Sequence, residues 1–278
     1  MKVGVYSVLT AESIPVTTLA RAVEERGFDS LWVPEHSHIP TTSIYPGGAG
    51  PVTREYGHTL DPFVVLAAAA GVTSRLKLGT GICLLIQRDT IQTAKAVASL
   101  DRLSGGRMLF GVGGGWNRPE MENHGTAYAT RFQRLEEQLE AIKRIWTQDE
   151  PEFRGKHVRF EKMWCWPKPL AEPHPPIYIG GESDHTLKRV VAHADGWLPR
   201  MRDPQAVLAG IGRLRDFARA AGRDPKSLAV SAFGVAPRDD AIAPLRDAGV
   251  DRIVLGLPAE PQDALMRRLD GYAALVTA

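Results

Sequence analysis

Residues 31–36 read Leu31-Trp32-Val33-Pro34-Glu35-His36, an apolar strand that breaks at a proline and ends in a carboxyl group and an imidazole. An imidazole can take or give a proton near neutral pH, and an adjacent carboxylate can orient it. In folds built on parallel strands, function collects at the carboxyl ends of the strands. The run therefore predicts catalytic roles for His36 and Glu35. The alternative is a structural histidine that bonds a backbone carbonyl.

Short β-rich runs alternate with segments of helical period on both sides of this run, a pattern typical of parallel strands joined by crossover helices. Eight strands are predicted, at residues 3–7, 30–33, 76–84, 108–112, 177–179, 196–198, 228–233 and 252–255. Eight such units indicate the α/β class and a (β/α)8 TIM barrel. Because no linker rich in Pro, Gly or Ser divides the chain, residues 1–278 are predicted to form a single domain.

Two insertions interrupt the alternation, one after strand two at residues 37–60 and one before strand five at about residues 149–176. Loops this long inside a compact fold are usually lids or binding walls. The second insertion contains Trp164 and Trp166, which together with Trp116 would suit an apolar or planar substrate. Packing at the rim of the barrel is the alternative role for these tryptophans.

The composition excludes several classes of protein. Hydrophobic residues make up 44% and charged residues 24% of the 278, ordinary values for a globular chain, and the net charge of +2 gives no case for nucleic acid. Cys83 and Cys165 have no CxxC spacing, so neither a disulfide framework nor a zinc ribbon is implied. The chain runs from Met1 directly into a strand and has no apolar stretch of membrane-spanning length, so a cytoplasmic protein without a membrane partner is expected.

Two glycine turns follow predicted strands four and five. The first contains Gly113, Gly114 and Gly115, and the second contains Gly180, Gly181 and Ser183. Glycine lets backbone amides approach an anion closely, and the second turn opens a helix whose N-terminus favours phosphate. The first turn is not a dinucleotide fingerprint, because Trp116 replaces the last glycine of GxGxxG. A pair of such turns indicates a phosphorylated cofactor, with tight structural turns as the alternative.

These motifs resemble the luciferase-like monooxygenase superfamily, and within it the oxidoreductases that use the deazaflavin coenzyme F420. The resemblance extends from end to end. It rests on the runs Gly27-Phe28-Asp29-Ser30-Leu31-Trp32-Val33-Pro34-Glu35-His36, Leu78-Gly79-Thr80-Gly81-Ile82, Ser99-Leu100-Asp101-Arg102-Leu103-Ser104-Gly105-Gly106-Arg107, Pro175-Pro176-Ile177-Tyr178-Ile179-Gly180-Gly181 and Asp195-Gly196-Trp197-Leu198-Pro199.

The resemblance implies where the cofactor would bind. Its ring would lie over a bulge in strand three at Gly81, Ile82 and Cys83, which in this family often contains a non-proline cis peptide. Its phosphate side would meet the residues of the two glycine turns, with Trp116 nearby. His36 would transfer the proton that accompanies hydride transfer to or from a small organic substrate, and Glu35 would be its neighbouring acid. The resemblance also implies a homodimer.

Trp116 departs from the sugar-phosphate dehydrogenases of the superfamily, which have a catalytic acid directly after the glycine turn, so sugar-phosphate chemistry is disfavoured. Three other functions remain open. An FMN-dependent monooxygenase would use the same barrel and phosphate turns, and a cofactor-binding protein would show no turnover. A zinc hydrolase could use His36 and His38, but the later strand ends lack further ligands, and no metal site is predicted.

Overall fold

Strands and helices alternate along the chain in a computed structural model that describes residues 1–276, apart from the side chains at positions 47 and 55. The strands are β1 Lys2–Ser7, β2 Ser30–Val33, β3 Lys77–Thr80, β4 Met108–Val112, β5 Phe153–Arg154, β6 Arg159–Phe160, β7 Ile177–Gly180, β8 Gly196–Leu198, β9 Ala229–Val235 and β10 Arg252–Leu257. The helices are α1 Val16–Glu25, α2 Pro62–Ala70, α3 Thr90–Ser104, α4 Arg118–Asn123, α5 Arg131–Thr147, α6 Asp184–His193, α7 Pro204–Ala220, α8 Asp239–Asp247 and α9 Gln262–Ala273.

Eight of these strands close into a barrel in the order β1-β10-β9-β8-β7-β4-β3-β2, and all barrel neighbours are parallel. The predicted (β/α)8 barrel is therefore confirmed. The remaining strands, β5 and β6, form a separate antiparallel pair. Within residues 1–276 no helix combines the length and apolar composition needed to cross a bilayer. Residues 277 and 278 of the predicted domain lie outside the described residues.

The third strand is shorter than predicted, because β3 ends at Thr80 and not at residue 84. The chain turns at the peptide bond between Gly81 and Ile82, which is cis. Beyond it, Cys83 forms an isolated bridge to Val112. The apolar residues after Thr80 do not continue the strand, and they instead form the bulge that the family resemblance implies.

Aromatic side chains fill the inside of the barrel where neighbouring strands have glycine. A Cβ atom at Gly79 would lie 2.3 Å from the indole of Trp32, and one at Gly196 would lie 2.5 Å from the ring of Tyr178. Trp32 and Tyr178 meet edge to face, with ring centroids 5.9 Å apart. Large and small residues thus interdigitate, as a close-packed interior requires.

The second insertion does not line the mouth of the barrel, and the prediction of a binding wall at residues 149–176 is wrong. The segment connects the end of α5 to the start of β7, so it lies at the amino-terminal face of the strands. The Asp101 carboxylate, near the end of α3, accepts hydrogen bonds from Leu170 N and Ala171 N at 2.7 and 2.9 Å. Trp164 and Trp166 are 77% and 53% exposed there, at the face of the barrel opposite the candidate site.

We expect Gly79→Ala to lower the free energy of unfolding by about 1–3 kcal/mol, because the buried Trp32 indole has no space into which to move. Gly212→Ala is the matched control. Gly212 lies on α7, and a methyl group there would meet no atom within 4 Å outside the backbone of its own helix, so alanine should stabilise the helix by roughly 0.5–1 kcal/mol. Denaturant unfolding of both variants measures the two effects, and equal stabilities would contradict this packing argument.

Candidate active site

The candidate residues follow four neighbouring strands on one side of the barrel mouth, β2, β3, β4 and β7. Ile82, after β3, lies between the two glycine turns. A Cβ atom at Gly113 would be 2.1 Å from Ile82 Cδ1, and one at Gly180 would be 3.2 Å from Ile82 Cγ2. The bulge over which the cofactor ring is predicted to lie and the two predicted phosphate turns are therefore neighbours in the fold.

In this bulge, Cys83 contributes its backbone groups and not a reactive thiol. Its side chain is fully buried, and burial raises the pKa of the thiol well above its usual value, with the charge of Glu35 acting in the same direction. The thiol is consequently neutral and not a nucleophile. Its backbone links the strands, because Cys83 N donates to Gly111 O at 2.8 Å and Gly113 N donates to Cys83 O at 3.1 Å.

The two glycine turns present unpaired backbone donors. In the described part of the chain, no hydrogen bond to another residue is found for the amides of Gly114, Gly115, Gly181 and Glu182. The last two directly precede α6, whose first turn is capped by the Ser183 hydroxyl, which accepts from Thr186 N at 3.2 Å. Free amides at a helix N-terminus favour an anion. These residues fit the phosphate of a flavin-type cofactor.

Two guanidinium groups add positive charge beside the first turn. The ring of Phe132 lies against Gly114, where a Cβ atom would come within 2.5 Å of it. Arg131 and Arg189 stack on Phe132 at 4.3 and 4.2 Å from its centroid. Arg189 is paired with the Glu136 carboxylate at 2.6 Å, whereas Arg131 has no carboxylate partner among residues 1–276. Burial lowers the pKa of Arg131 below its usual value, and a nearby anion would favour its charged form.

His36 pairs with a carboxylate that the sequence did not indicate. Its Nδ1 is 2.8 Å from Oε2 of Glu120, which belongs to α4, 84 residues further along the chain. The Glu120 carboxylate also accepts a hydrogen bond from Ser37 N at 3.2 Å and one from Asn117 Nδ2 at 3.4 Å. The imidazole is nearly enclosed and Glu120 has no exposed surface.

Glu35 is not the hydrogen-bond partner of His36, contrary to the interpretation of the adjacent pair. Its Oε2 accepts from Leu84 N at 2.7 Å, and its Oε1 accepts from Arg88 Nε at 2.6 Å. Arg88 also bonds Asp61, at the other end of the lid segment, which we define as residues 37–60. Burial alone would lower the pKa of Arg88, but the charge of Glu35 raises it above its usual value. The carboxylate thus anchors the loops and does not touch the imidazole.

An aromatic wall stands beside His36. The imidazole meets Trp116 and Tyr56 edge-on, at ring-centroid distances of 5.6 and 5.5 Å. Tyr45 stacks on Trp116 at 5.8 Å. Burial raises the pKa of Tyr56, so its phenol is neutral. The lid segment, and not the second insertion, therefore supplies the partners of Trp116.

The second histidine of the proposed zinc pair points elsewhere. His38 Nδ1 lies 2.9 Å from Ser37 Oγ, and its Nε2 lies 2.8 Å from Asn123 Nδ2. Among residues 1–276, no group of three or more His, Cys, Asp or Glu side chains is placed to hold a metal ion.

Sequence reasoning missed Glu120 and Arg88, and it did not predict the contact of Tyr56 with His36. Glu120 lies within a short polar helix, in which the exposed residues Arg118 and Glu122 are also charged. A buried charge in such a segment has no sequence signature.

Comparison with known proteins gives a family and three relatives. Residues 10–274 match the luciferase-like monooxygenase family. An uncharacterised protein of Mycobacterium tuberculosis is 37% identical over 99% of this chain and 98% of its own length. An F420-dependent hydroxymycolic acid dehydrogenase of the same organism is 29% identical over 95% of this chain and 71% of its own. The solved structure of an F420-dependent secondary alcohol dehydrogenase, 19% identical, superposes with a TM-score of 0.79 over 99% of this chain and 98% of that one.

We expect Arg88→Met to destabilise the protein by about 3–5 kcal/mol, because it leaves the buried Glu35 carboxylate without its ion-pair partner. Since Arg88 joins the two ends of the lid segment, amide hydrogen exchange within residues 37–60 should also become faster. Arg118→Met is the control, because Arg118 forms an exposed pair with Glu122 and a distant contact with the ring of Tyr128, and its loss should change stability by less than about 0.5 kcal/mol. Similar losses in both variants would refute a special role for Arg88.

Proposed function

Because the chain belongs to the luciferase-like monooxygenase family, we propose that it is an oxidoreductase that transfers a hydride between coenzyme F420 and a small organic substrate. The observation that carries the proposal is an enclosed imidazole, His36, at the same barrel mouth as two turns of unpaired amides. The name of the 29% identical relative, an F420-dependent dehydrogenase, supports the deazaflavin as the cofactor.

The residues that would hold the cofactor are those of the bulge and the two turns. The phosphate would accept hydrogen bonds from the amides around Gly114 and Gly181, next to the capped helix of Ser183. Ile82 would support the ring from between the turns. When bound, a deazaflavin supplies or accepts a hydride and does not activate oxygen.

His36 would exchange the proton that accompanies the hydride, as a general acid or base. The aromatic wall of Trp116, Tyr45 and Tyr56 favours a substrate with an apolar body, and a reacting alcohol or ketone group agrees with the name of the hydroxymycolic acid dehydrogenase. In this proposal Glu35 is a positioning residue, because its carboxylate holds Leu84 and Arg88 and does not reach the imidazole. The cytoplasmic location stays a prediction.

An FMN-dependent monooxygenase is the second candidate. The name of the matched family favours it, and the unpaired amides would serve the phosphate of either cofactor. A protein that binds the cofactor without turnover is the remaining alternative. At the reactive position of the ring the deazaflavin has carbon and FMN has nitrogen, so oxygen reactivity as well as binding separates the two cofactors.

We expect the purified protein to bind coenzyme F420 at least about tenfold more tightly than FMN, measured by quenching of tryptophan fluorescence, to which Trp116 should contribute. His36→Ala should keep this affinity and lose turnover of a secondary alcohol by a factor of the order of 10² or more, because the proton acceptor is gone. His38→Ala, in the same loop but without contact to Glu120, should stay within a few-fold of the parent.

Tighter binding of FMN, with rapid oxidation of the reduced cofactor by air, would assign the monooxygenase function instead. Saturable binding of coenzyme F420 without turnover across a panel of alcohols and ketones would favour the cofactor-binding alternative. Turnover of His36→Ala within a few-fold of the parent would contradict the proposed role of the imidazole.

We further propose that the protein is a homodimer that associates through α2, α3 and the second insertion. The helix α2 contains no polar side chain, and a helix that is apolar all round is normally covered. Val64 on α2 and Leu103 on α3 are more than two-thirds exposed. Because Asp101 holds the second insertion against α3, its exposed Trp164 and Trp166 extend the same side of the barrel. Such a surface fits a second copy of the chain better than water.

We expect light scattering to give a dimer for the parent protein and a monomer for the double variant Val64→Lys, Leu103→Lys, because two buried ammonium groups would oppose association. Lys226→Glu is the control, since Lys226 lies between β8 and β9, across the barrel from α3, and should leave the dimer intact. A monomeric parent, or a dimer that both charges leave unchanged, would contradict the proposed interface.

A further inference from the structure

We infer that Glu120 is a positioning residue that fixes the tautomer of His36, so that the resting protein presents a bare Nε2 to its substrate. The inference rests on the proposed function for its catalytic meaning. Its structural content, the location of one proton, can be tested in the protein without cofactor. The hydrogen bonds around one imidazole and one carboxylate determine where that proton lies.

A neutral imidazole has one N–H donor and one bare nitrogen acceptor, and its bonds decide which is which. Nδ1 of His36 lies 2.8 Å from Glu120 Oε2. Within residues 1–276, no hydrogen bond is found for Nε2 of His36. The position of the proton therefore depends on whether Glu120 accepts a hydrogen bond from Nδ1 or donates one to it.

Glu120 acts as an acceptor at both of its oxygens. Oε1 receives the Ser37 N–H at 3.2 Å, and Oε2 receives the Asn117 side-chain amide at 3.4 Å in addition to His36. Backbone and amide N–H groups can only donate, so both contacts favour an ionised carboxylate. An ionised carboxylate has no hydrogen to give to Nδ1, and His36 must donate there.

The ring itself has little freedom to turn over. Trp116 and Tyr56 flank it at centroid distances of 5.6 and 5.5 Å, and its side chain is only 7% exposed. With the Nδ1 proton bound to Glu120, the unshared electron pair of Nε2 is available on the opposite edge. Nε2 can then accept a hydroxyl proton: the O–H bond breaks, its electron pair stays on oxygen, and the imidazole becomes an imidazolium with both nitrogens protonated.

A carboxylate is required at this position, because an amide of the same shape would exchange the hydrogen-bond donor and acceptor at Nδ1. In Glu120→Gln, the Ser37 N–H still requires an oxygen at the position of Oε1, whereas the Asn117 side-chain amide can rotate to present its own oxygen, so the new amide group faces His36. That group donates to Nδ1, which forces the histidine proton to Nε2. A carboxylate-to-amide change beside a catalytic histidine reduces kcat by about 10⁴ in a serine protease for this reason.

Long-range ¹H–¹⁵N NMR of histidine-labelled protein without cofactor, at a pH of about 8 where an imidazole is ordinarily neutral, reports the tautomer directly. The His36 signals are identified by their loss in His36→Ala. We expect the proton on Nδ1 in the parent and on Nε2 in Glu120→Gln. Glu122→Gln, which changes the exposed partner of Arg118 two residues away, should leave the parent pattern unchanged.

Activity provides a second readout. Glu120→Gln should lower kcat for alcohol oxidation by a factor of the order of 10² to 10⁴, with the dissociation constant of coenzyme F420 within a few-fold of the parent. A parent protein with the proton on Nε2, or a Glu120→Gln variant that keeps it on Nδ1, would overturn the inference. The parent measurement does not use Glu120→Gln and therefore stands even if that variant folds poorly. Failure to bind coenzyme F420 would instead remove the proposed function and leave the tautomer assignment intact.

Discussion

The packing of Trp32 inside the barrel is the constraint on which the site depends. Its indole is fully buried and occupies the space that Gly79 leaves on the adjacent strand, while Tyr178 and Phe233 meet it edge-on. A one-residue slip between β2 and β3 would drive a side chain into the indole, so their register is fixed. Glu35 and His36 follow Trp32 by only three and four residues. The packing of Trp32 therefore fixes the position of Glu35 and His36 relative to the bulge at Ile82.

Beyond Trp32, the adjacent residues Glu35 and His36 bind partners on opposite sides of the loop. Glu35 extends toward the third strand, where it holds Leu84 N and the guanidinium of Arg88. His36 extends toward α4, where it meets Glu120. The two side chains bind partners on different elements, so adjacency in sequence did not become contact in space. One carboxylate anchors the loops, and the other stays free to bind the imidazole.

The alternation of apolar runs predicted the eight strands and the barrel because parallel strands buried on both faces leave a strong local signal, as in Ser30–Val33. The same apolar pattern placed the end of β3 too far along the chain, because Ile82, Cys83 and Leu84 are apolar whether they continue a strand or form a bulge. The location of the second insertion followed from topology alone: a segment that leads from a helix into a strand reaches the amino-terminal face, whatever its tryptophans suggest. The Glu120 contact bridges 84 residues and depends on burial, which local sequence does not encode.

The ion pairs of Arg88 connect substrate access to the chemistry of the site. Its guanidinium bonds Glu35 before the lid segment and Asp61 after it, and the Thr59 hydroxyl donates to His36 O at 2.8 Å across the same gap. The lid segment is therefore a loop closed at its base, and that base includes the backbone of His36, the residue proposed to transfer the proton. Because Tyr56 from the loop also contacts the imidazole, a displacement of the lid segment would change the walls around His36 as well as the entrance to it. In the proposed function, specificity and proton transfer would thus be properties of one connected structure, because the loop beside the entrance also contacts the imidazole.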